Sequence, residues 1–419
     1  MKNNKGITLV ALVVTIVVLL ILATVSINLV LGDNGIVKKA QDAKTKSAEA
    51  SENDLKGMNS LVSEMEGALA GNGGAGGSGT DTKVPAEATA ETAPYFPDNT
   101  FTKKEGKIDT GLVIQDASGN EYVWVVVPRT TAVYKKTGLG KTTFTDTDYT
   151  NIETDLQNYT STYRNGTSYS DTWAADTDNV GWLTSDEYTE LKNKMLKSVY
   201  LNGGFYVGRY EAGIDITTGT NRTKIESQVN GKYPVPTTVP VSKADAYPYT
   251  YVTRTQAQNL ASNVNSGTKT SSLMFGVQWD LVLAFMSKDT AKITSTDVLT
   301  KNSTTIGNYY NNLWTITNAN AQYLPGGKFV QCPNPFKKES NSDILLTTGA
   351  DSSFSVQNIY DIAGNVWEWT LEKYSGTRTP CAGGGGSCIN IGSNSPAASR
   401  LGGGTGYSNY YVGFRVSLF

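Results

Sequence analysis

The chain has 419 residues, 39% hydrophobic and 18% charged, which suits two or three folded domains and excludes a wholly disordered protein. A formal net charge of −2 supplies no basic field, so nucleic acid is set aside as a partner. There is no histidine, which removes the usual general base and the commonest transition-metal ligand, and with them much hydrolase and zinc chemistry.

At the N-terminus the leader "MKNNKG" precedes Ile7 to Leu31, a stretch without a charged residue. As a helix it would extend about 38 Å, enough to cross a ~30 Å hydrocarbon core with tilt, and it is longer than the apolar region of a secretory signal. A transmembrane helix over 7–31 is expected. The succession of a short basic leader, Gly6 and an apolar helix from Ile7 resembles a type IV prepilin, and "KGITLVALVVTIVVLLILA" is similar to the pilin-type N-termini of Gram-positive bacteria. The resemblance implies cleavage between Gly6 and Ile7 by a prepilin peptidase, with the pilus assembly machinery and a homopolymer as further partners. One position departs from the pattern: Ala11 stands where assembling subunits usually carry glutamate, which fits a minor pilin or a pilin-like anchor better than a major subunit. Lysines flank both ends of the helix (Lys2 and Lys5; Lys38, Lys39, Lys44 and Lys46), so charge does not set the topology. The resemblance places the C-terminal bulk outside a single-pass bacterial cell membrane or on a pilus.

"GDNG" at 32–35 interrupts or caps this helix. From Ile36 to Ala70 the apolar positions make only a narrow stripe, which predicts a solvated stalk helix over 32–70. "GNGGAGGSG" then opens a flexible linker over 71–94, and a domain over 95–419 follows.

Within that domain "GLVIQDASGNEYVWVVVP" predicts a hairpin and "GGFYVGRYEAGI" a strand. "TRTQAQNLASNV" places Ala257, Leu260, Ala261 and Val264 on one side of a helix, and "SSLMFGVQWDLVLAFM" reads as a second helix around Trp279. Strands and helices do not alternate regularly, so the fold class expected is α+β, rich in loops.

Residues 358–370, "NIYDIAGNVWEWT", pose the functional question. With a period of two, Trp367 and Trp369 share one strand face and belong to the core. Together with "GRYEAG", "VQWDLVLAF", "SRLGGG" and the terminal "VGFRVSLF", this stretch resembles the formylglycine-generating enzyme family, also called sulfatase-modifying factor, a variant of the C-type lectin fold. The resemblance implies a structural calcium ion held by the side chains of Asp361 and Glu368 and the carbonyls of Gly364 and Val366; hard oxygen donors suit that ion. The other reading of the same acids is that Asp361 caps a turn and Glu368 forms a salt bridge. Arg400 and Arg415 match the family's framework arginines.

Members of that family oxidise a substrate cysteine with copper held by two closely spaced cysteines after a "GGS" element. Here "GGS" at 385–387 is followed by Cys388 and no second cysteine, so the copper pair is not reproduced and an enzyme is not expected. Cys381 and Cys388 bracket "AGGGGS", and outside the cell a disulfide between them would close that loop. Cys332 has no partner in prospect and reads as a buried apolar residue.

The candidate ligand-binding residues lie in the C-terminal loops: Asn390, Ser393, Asn394, Thr405, Tyr407, Ser408, Asn409, Tyr410 and Tyr411. Tyr, Ser and Asn are the composition that adaptable binding surfaces favour. This tail also resembles the variable proteins of diversity-generating retroelements, whose diversified positions are rich in Tyr, Asn, Ser and Gly. The sequence thus predicts a surface-displayed, non-catalytic lectin-like domain whose external ligand, protein or glycan, is left open. A retroelement target protein, a copper-dependent oxidase and a purely structural filament subunit are the competing readings.

Overall fold

The computed structural model describes residues 96–164 and 170–419. The leader with Gly6 and Ile7, the apolar helix 7–31, the stalk 32–70 and the linker 71–94 all lie outside the described residues. Among the described residues no helix is long and apolar enough to cross a membrane.

Ten strands form the two larger sheets: β1 Thr102–Glu105, β2 Val113–Gln115, β3 Glu121–Val126, β4 Gly204–Gly208, β5 Ser271–Leu273, β6 Trp367–Gly376, β7 Thr379–Gly384, β8 Arg400–Gly403, β9 Val412–Phe414 and β10 Val416–Leu418. Four main helices accompany them: α1 Asp146–Thr160, α2 Ser185–Asn202, α3 Arg254–Ala261 and α4 Gly276–Met286. The first sheet has the order β1-β2-β3-β4-β10-β5 and the second β8-β7-β6-β9. The remaining described strands pair in short two-stranded ribbons. This mixture of helices and sheets without regular alternation is the α+β class expected.

The β2–β3 hairpin forms where the turn residues allow it. Asp116 Oδ1 accepts hydrogen bonds from the amides of Ser118 and Asn120, both at 2.9 Å, and Gly119 supplies the positive φ of 86°. The stretch read as one strand over 203–214 is in fact two: β4 ends at Gly208, and Gly213–Ile214 pairs separately with Tyr247–Pro248. The stretch read as one helix around Trp279 also divides, because Ser271–Leu273 pairs with β10 as a strand before α4 begins at Gly276.

α1 and α2 were not anticipated, although each carries a capping signal in sequence: Thr145 with Asp148, and Thr184 with Glu187, exchange the reciprocal bonds of a capping box. α3 begins with a third box, Thr253 with Gln256, and buries Ala257, Leu260 and Ala261 as its spacing predicted. α4 is buried on every side and packs on β3 and β6, so it has no solvated face to betray it as an amphipathic helix.

The C-terminal residues tie the two sheets together. β9 runs parallel to β6, pairing Trp367 with Val412 and Trp369 with Phe414. One residue later, β10 enters the first sheet between β4 and β5. Arg415 is that single residue, fully buried. Both faces of β6 are covered: Trp367, Glu368 and Trp369 are all buried, and the Trp369 indole donates to the Val252 carbonyl at 2.9 Å.

Candidate functional site

The loop between Ile362 and Trp367 is a pin of backbone and amide contacts. Gly364 has φ 77°, and a Cβ there would fall 2.3 Å from the Asn308 carbonyl oxygen, so only glycine permits this approach. Asn365, also at positive φ, is fully buried; its amide donates to Glu211 Oε2 at 2.7 Å and accepts from Leu346 N and Asn308 Nδ2, both at 3.1 Å. The Val366 amide donates to Glu211 Oε1 at 3.2 Å. Neither Asn365 nor Glu211 was singled out from sequence. Both stood inside the quoted motifs "GNVWEW" and "GRYEAG", but nothing in spacing announced that they would meet.

Three buried carboxyl groups, Glu211, Asp361 and Glu368, therefore share one region with one guanidinium, Arg415. Arg415 Nε lies 3.2 and 2.9 Å from the two oxygens of Glu368, and Nη2 lies 2.5 Å from Oε1. Its remaining donors go to the carbonyls of Gly208 and Tyr360 at 2.9 and 2.7 Å. Asp361 Oδ2 accepts from the Gly349 amide at 2.8 Å. Burial raises all three acids above the usual carboxylate range, Asp361 to about 7, and for Glu211 the neighbouring acids add to the effect.

Both side chains expected to hold calcium already have partners, Glu368 in Arg415 and Asp361 in the Gly349 amide. A cation reaching Glu368 would have to displace an arginine bound to both carboxylate oxygens. The observed contacts, a carboxylate receiving a turn amide and an ion pair, instead account for Asp361 and Glu368 without an ion.

Arg400 sits in a second buried charge system. Its Nε and Nη2 contact Glu372 Oε2 at 2.7 Å and Asp280 Oδ1 at 2.6 Å, while Arg164 contacts the other oxygens of the same two acids at 2.5 and 2.7 Å. Two arginines and two carboxylates close a ring whose charges balance.

The cysteine expectation is corrected. Cys381 and Cys388 are free thiols, and Cys332 is free as well. Cys381, on β7, packs in the main core, whereas Cys388 packs with Leu345 and Val366 in a separate cluster. The glycine run between them is occupied with fitting the backbone around Trp279 and Tyr309: a Cβ on Gly384 would fall 2.5 Å from the Trp279 ring, and one on Gly386 2.8 Å from the Tyr309 ring. Burial pushes the thiols of Cys332 and Cys381 up to about 11 and that of Cys388 higher still, so none is poised as a thiolate.

A cavity of about 440 Å³ opens beside β6 and β8 and brings together four of the expected ligand-binding residues: Asn390, Asn394, Tyr407 and Tyr411. Trp367 and Tyr374 add two more aromatic rings to its lining. The hydroxyls of Tyr407 and Tyr411 are 2.9 Å apart, and burial followed by that hydrogen bond raises the Tyr407 phenol to about 12. Gly402 and Gly403 of β8 make room for these rings. A Cβ on Gly402 would fall 2.5 Å from the Tyr374 ring, and one on Gly403 2.4 Å from Trp369 and 3.4 Å from Tyr407. Arg400 is the one charged residue lining this cavity, and its charge is balanced within the ring described above.

Tyr410 faces the other way, into a second cavity of about 360 Å³ with Arg222 and Asp343, where its hydroxyl lies 3.1 Å from Asp343 Oδ2. Ser393, Thr405, Ser408 and Asn409 line neither cavity. Thr405 is held instead by Asp178 through its hydroxyl and by the Asn179 amide at its carbonyl, and the Asn409 carbonyl receives the Tyr251 amide at 3.0 Å. The sequence run thus divides between residues that line a cavity and residues, Thr405 and Asn409 among them, that hold the loop.

Residues 106–418 match the family model of the sulfatase-modifying factor enzyme 1-like domain. Among solved structures, the chain is similar to Treponema denticola variable protein 1, with 13% identity and a TM-score of 0.27, over 51% of this chain and 84% of that one. It is also similar to CarF, with 14% identity and a TM-score of 0.22, over 81% of this chain and 95% of that one. No curated protein matches it.

Proposed function

The chain belongs to the sulfatase-modifying factor enzyme 1-like family, and from that premise we propose that its domain is a non-catalytic recognition module displayed at a bacterial surface. Its ligand seats in the cavity between Tyr374, Tyr407 and Tyr411, and a pilin-like helix over 7–31 anchors the chain or joins it to a filament. The observation that carries the binding reading is the cavity itself, because residues chosen from sequence for their binding composition converge on it. The observation against catalysis is that the three thiols are buried, raised and apart, leaving no pair placed to hold copper.

Full-length protein, copper and a cysteine-containing peptide test the catalytic side: the peptide mass is expected to stay unchanged, and formylglycine in the product would sink the reading. The display side is tested by mass spectrometry of the mature N-terminus in protein sheared from cells. A chain beginning at Ile7 supports pilin-type processing; one beginning at Met1 and confined to the membrane reduces it to a single-pass tether.

A second reading is a diversified target of a retroelement. Its support is that cavity positions such as Asn390, Asn394, Tyr407 and Tyr411 are Asn and Tyr, while buried Trp369, Arg400 and Gly403 frame them. A reverse transcriptase gene beside this one, with a template repeat of its 3′ end, decides it.

A further inference from the structure

We infer that the aromatic cavity takes an uncharged saccharide and binds it without cleaving it; this rests on the recognition reading above. The first ground is the character of the walls. Trp367, Tyr374, Tyr407 and Tyr411 line the cavity, and a pyranose offers flat C–H faces that can lie against aromatic rings.

The second ground is the uncommitted hydrogen-bonding capacity. The Asn394 side-chain amide makes no hydrogen bond among the described residues, and Asn394 is exposed. Asn390 uses its Oδ1 to accept from Ser387 at 2.7 Å, which leaves its amide nitrogen to donate. Amides and phenols that both donate and accept match sugar hydroxyls, which do the same.

The third ground is charge. Asp280 and Glu372 already neutralise Arg164 and Arg400, so the cavity holds no spare charge for an anionic or cationic ligand. No carboxylate lines it, whereas glycoside hydrolysis uses a pair of them across the scissile bond. Its volume of about 440 Å³ lies within the ~300–1,000 Å³ of small-ligand sites.

The test is saturation-transfer NMR on the full chain, in a detergent without a sugar headgroup, with glucose, galactose, mannose, N-acetylglucosamine and N-acetylgalactosamine. At least one sugar is expected to receive saturation, equally with and without EDTA. Asn394→Ala should weaken it about tenfold, the loss of one hydrogen bond, and Tyr407→Ala should abolish it. Tyr407→Phe, which keeps the ring, should retain most of the binding and guards against misfolding as the cause. Retention on immobilised mucin before and after periodate oxidation runs alongside. If no sugar binds, and mucin retention survives periodate yet is lost in Asn394→Ala, the ligand is protein and the saccharide inference is overturned while the recognition reading stands. If the variants bind every probe as the wild type does, the cavity is not the site and both fail.

Discussion

Arg415 meets Glu368 side-on in the centre of the domain, with Nε 2.9 Å and Nη2 2.5 Å from different carboxylate oxygens and both side chains buried. Arg415 is also the single residue between β9 and β10, so the pair fixes the point where the chain passes from one sheet to the other. Replacing Arg415 by Met leaves Glu368 buried without its partner and orphans the carbonyls of Gly208 and Tyr360. Loss of about 3–5 kcal/mol in denaturant unfolding is expected, and a loss under 1 kcal/mol would show that the pair is dispensable.

Asp361 makes stability depend on pH. Its folded-state value of about 7 lies above the ordinary 3.8, chiefly because burial disfavours the charged form. A folded state that holds its proton more tightly is favoured at low pH. This contribution is therefore complete below about pH 4 and is lost as pH rises through 7. Asp361→Asn can still accept the Gly349 amide, so the variant should show a flatter profile of unfolding midpoint between pH 4 and 8. A profile parallel to the wild type would mean that Asp361 does not titrate in this range.

The two glycines beneath the aromatic rings should respond differently to alanine. Gly403→Ala drives a methyl group into the buried Trp369 ring and should cost about 1–3 kcal/mol of stability. Gly402→Ala meets Tyr374, which is only half-buried and can swing aside, so stability should fall less while ligand binding weakens. Equal effects on stability would contradict this division.

The thiols should be silent in the native state. With Cys332, Cys381 and Cys388 free and buried, a thiol reagent at pH 8 should label none of them quickly and all three after denaturation. A non-reducing peptide map showing Cys381 joined to Cys388 would overturn the assignment of free thiols.

Sequence carried the class, the family and four of the residues that line the cavity, for reasons that residue patterns can transmit. "GNVWEW" and "VGFRVSLF" are local words, and the β2–β3 hairpin and α3 follow from turn and helix signals within a dozen residues. The errors came where distant pairing decides local form. Ser271–Leu273 is a strand only because β10 arrives beside it, and α4 lacks a polar face because the core surrounds it. No spacing told that Arg415 would occupy Glu368. The Cys381–Cys388 loop looked ready to close, but its glycines are committed to Trp279 and Tyr309. Composition alone chose Tyr410 and Tyr411 together; only the fold turns them to opposite cavities.

The most direct test of the recognition surface is retention of the full chain on a panel of surfaces, mucin, collagen and intact bacterial cells, comparing wild type with the double variant Asn394→Ala/Tyr407→Ala. The wild type should hold at least one surface, and the double variant should hold none of them above background, with an unfolding midpoint within a few degrees of the wild type. Equal retention by both proteins, or retention of neither on any surface, would contradict the assignment of this cavity as the place where the protein meets its ligand.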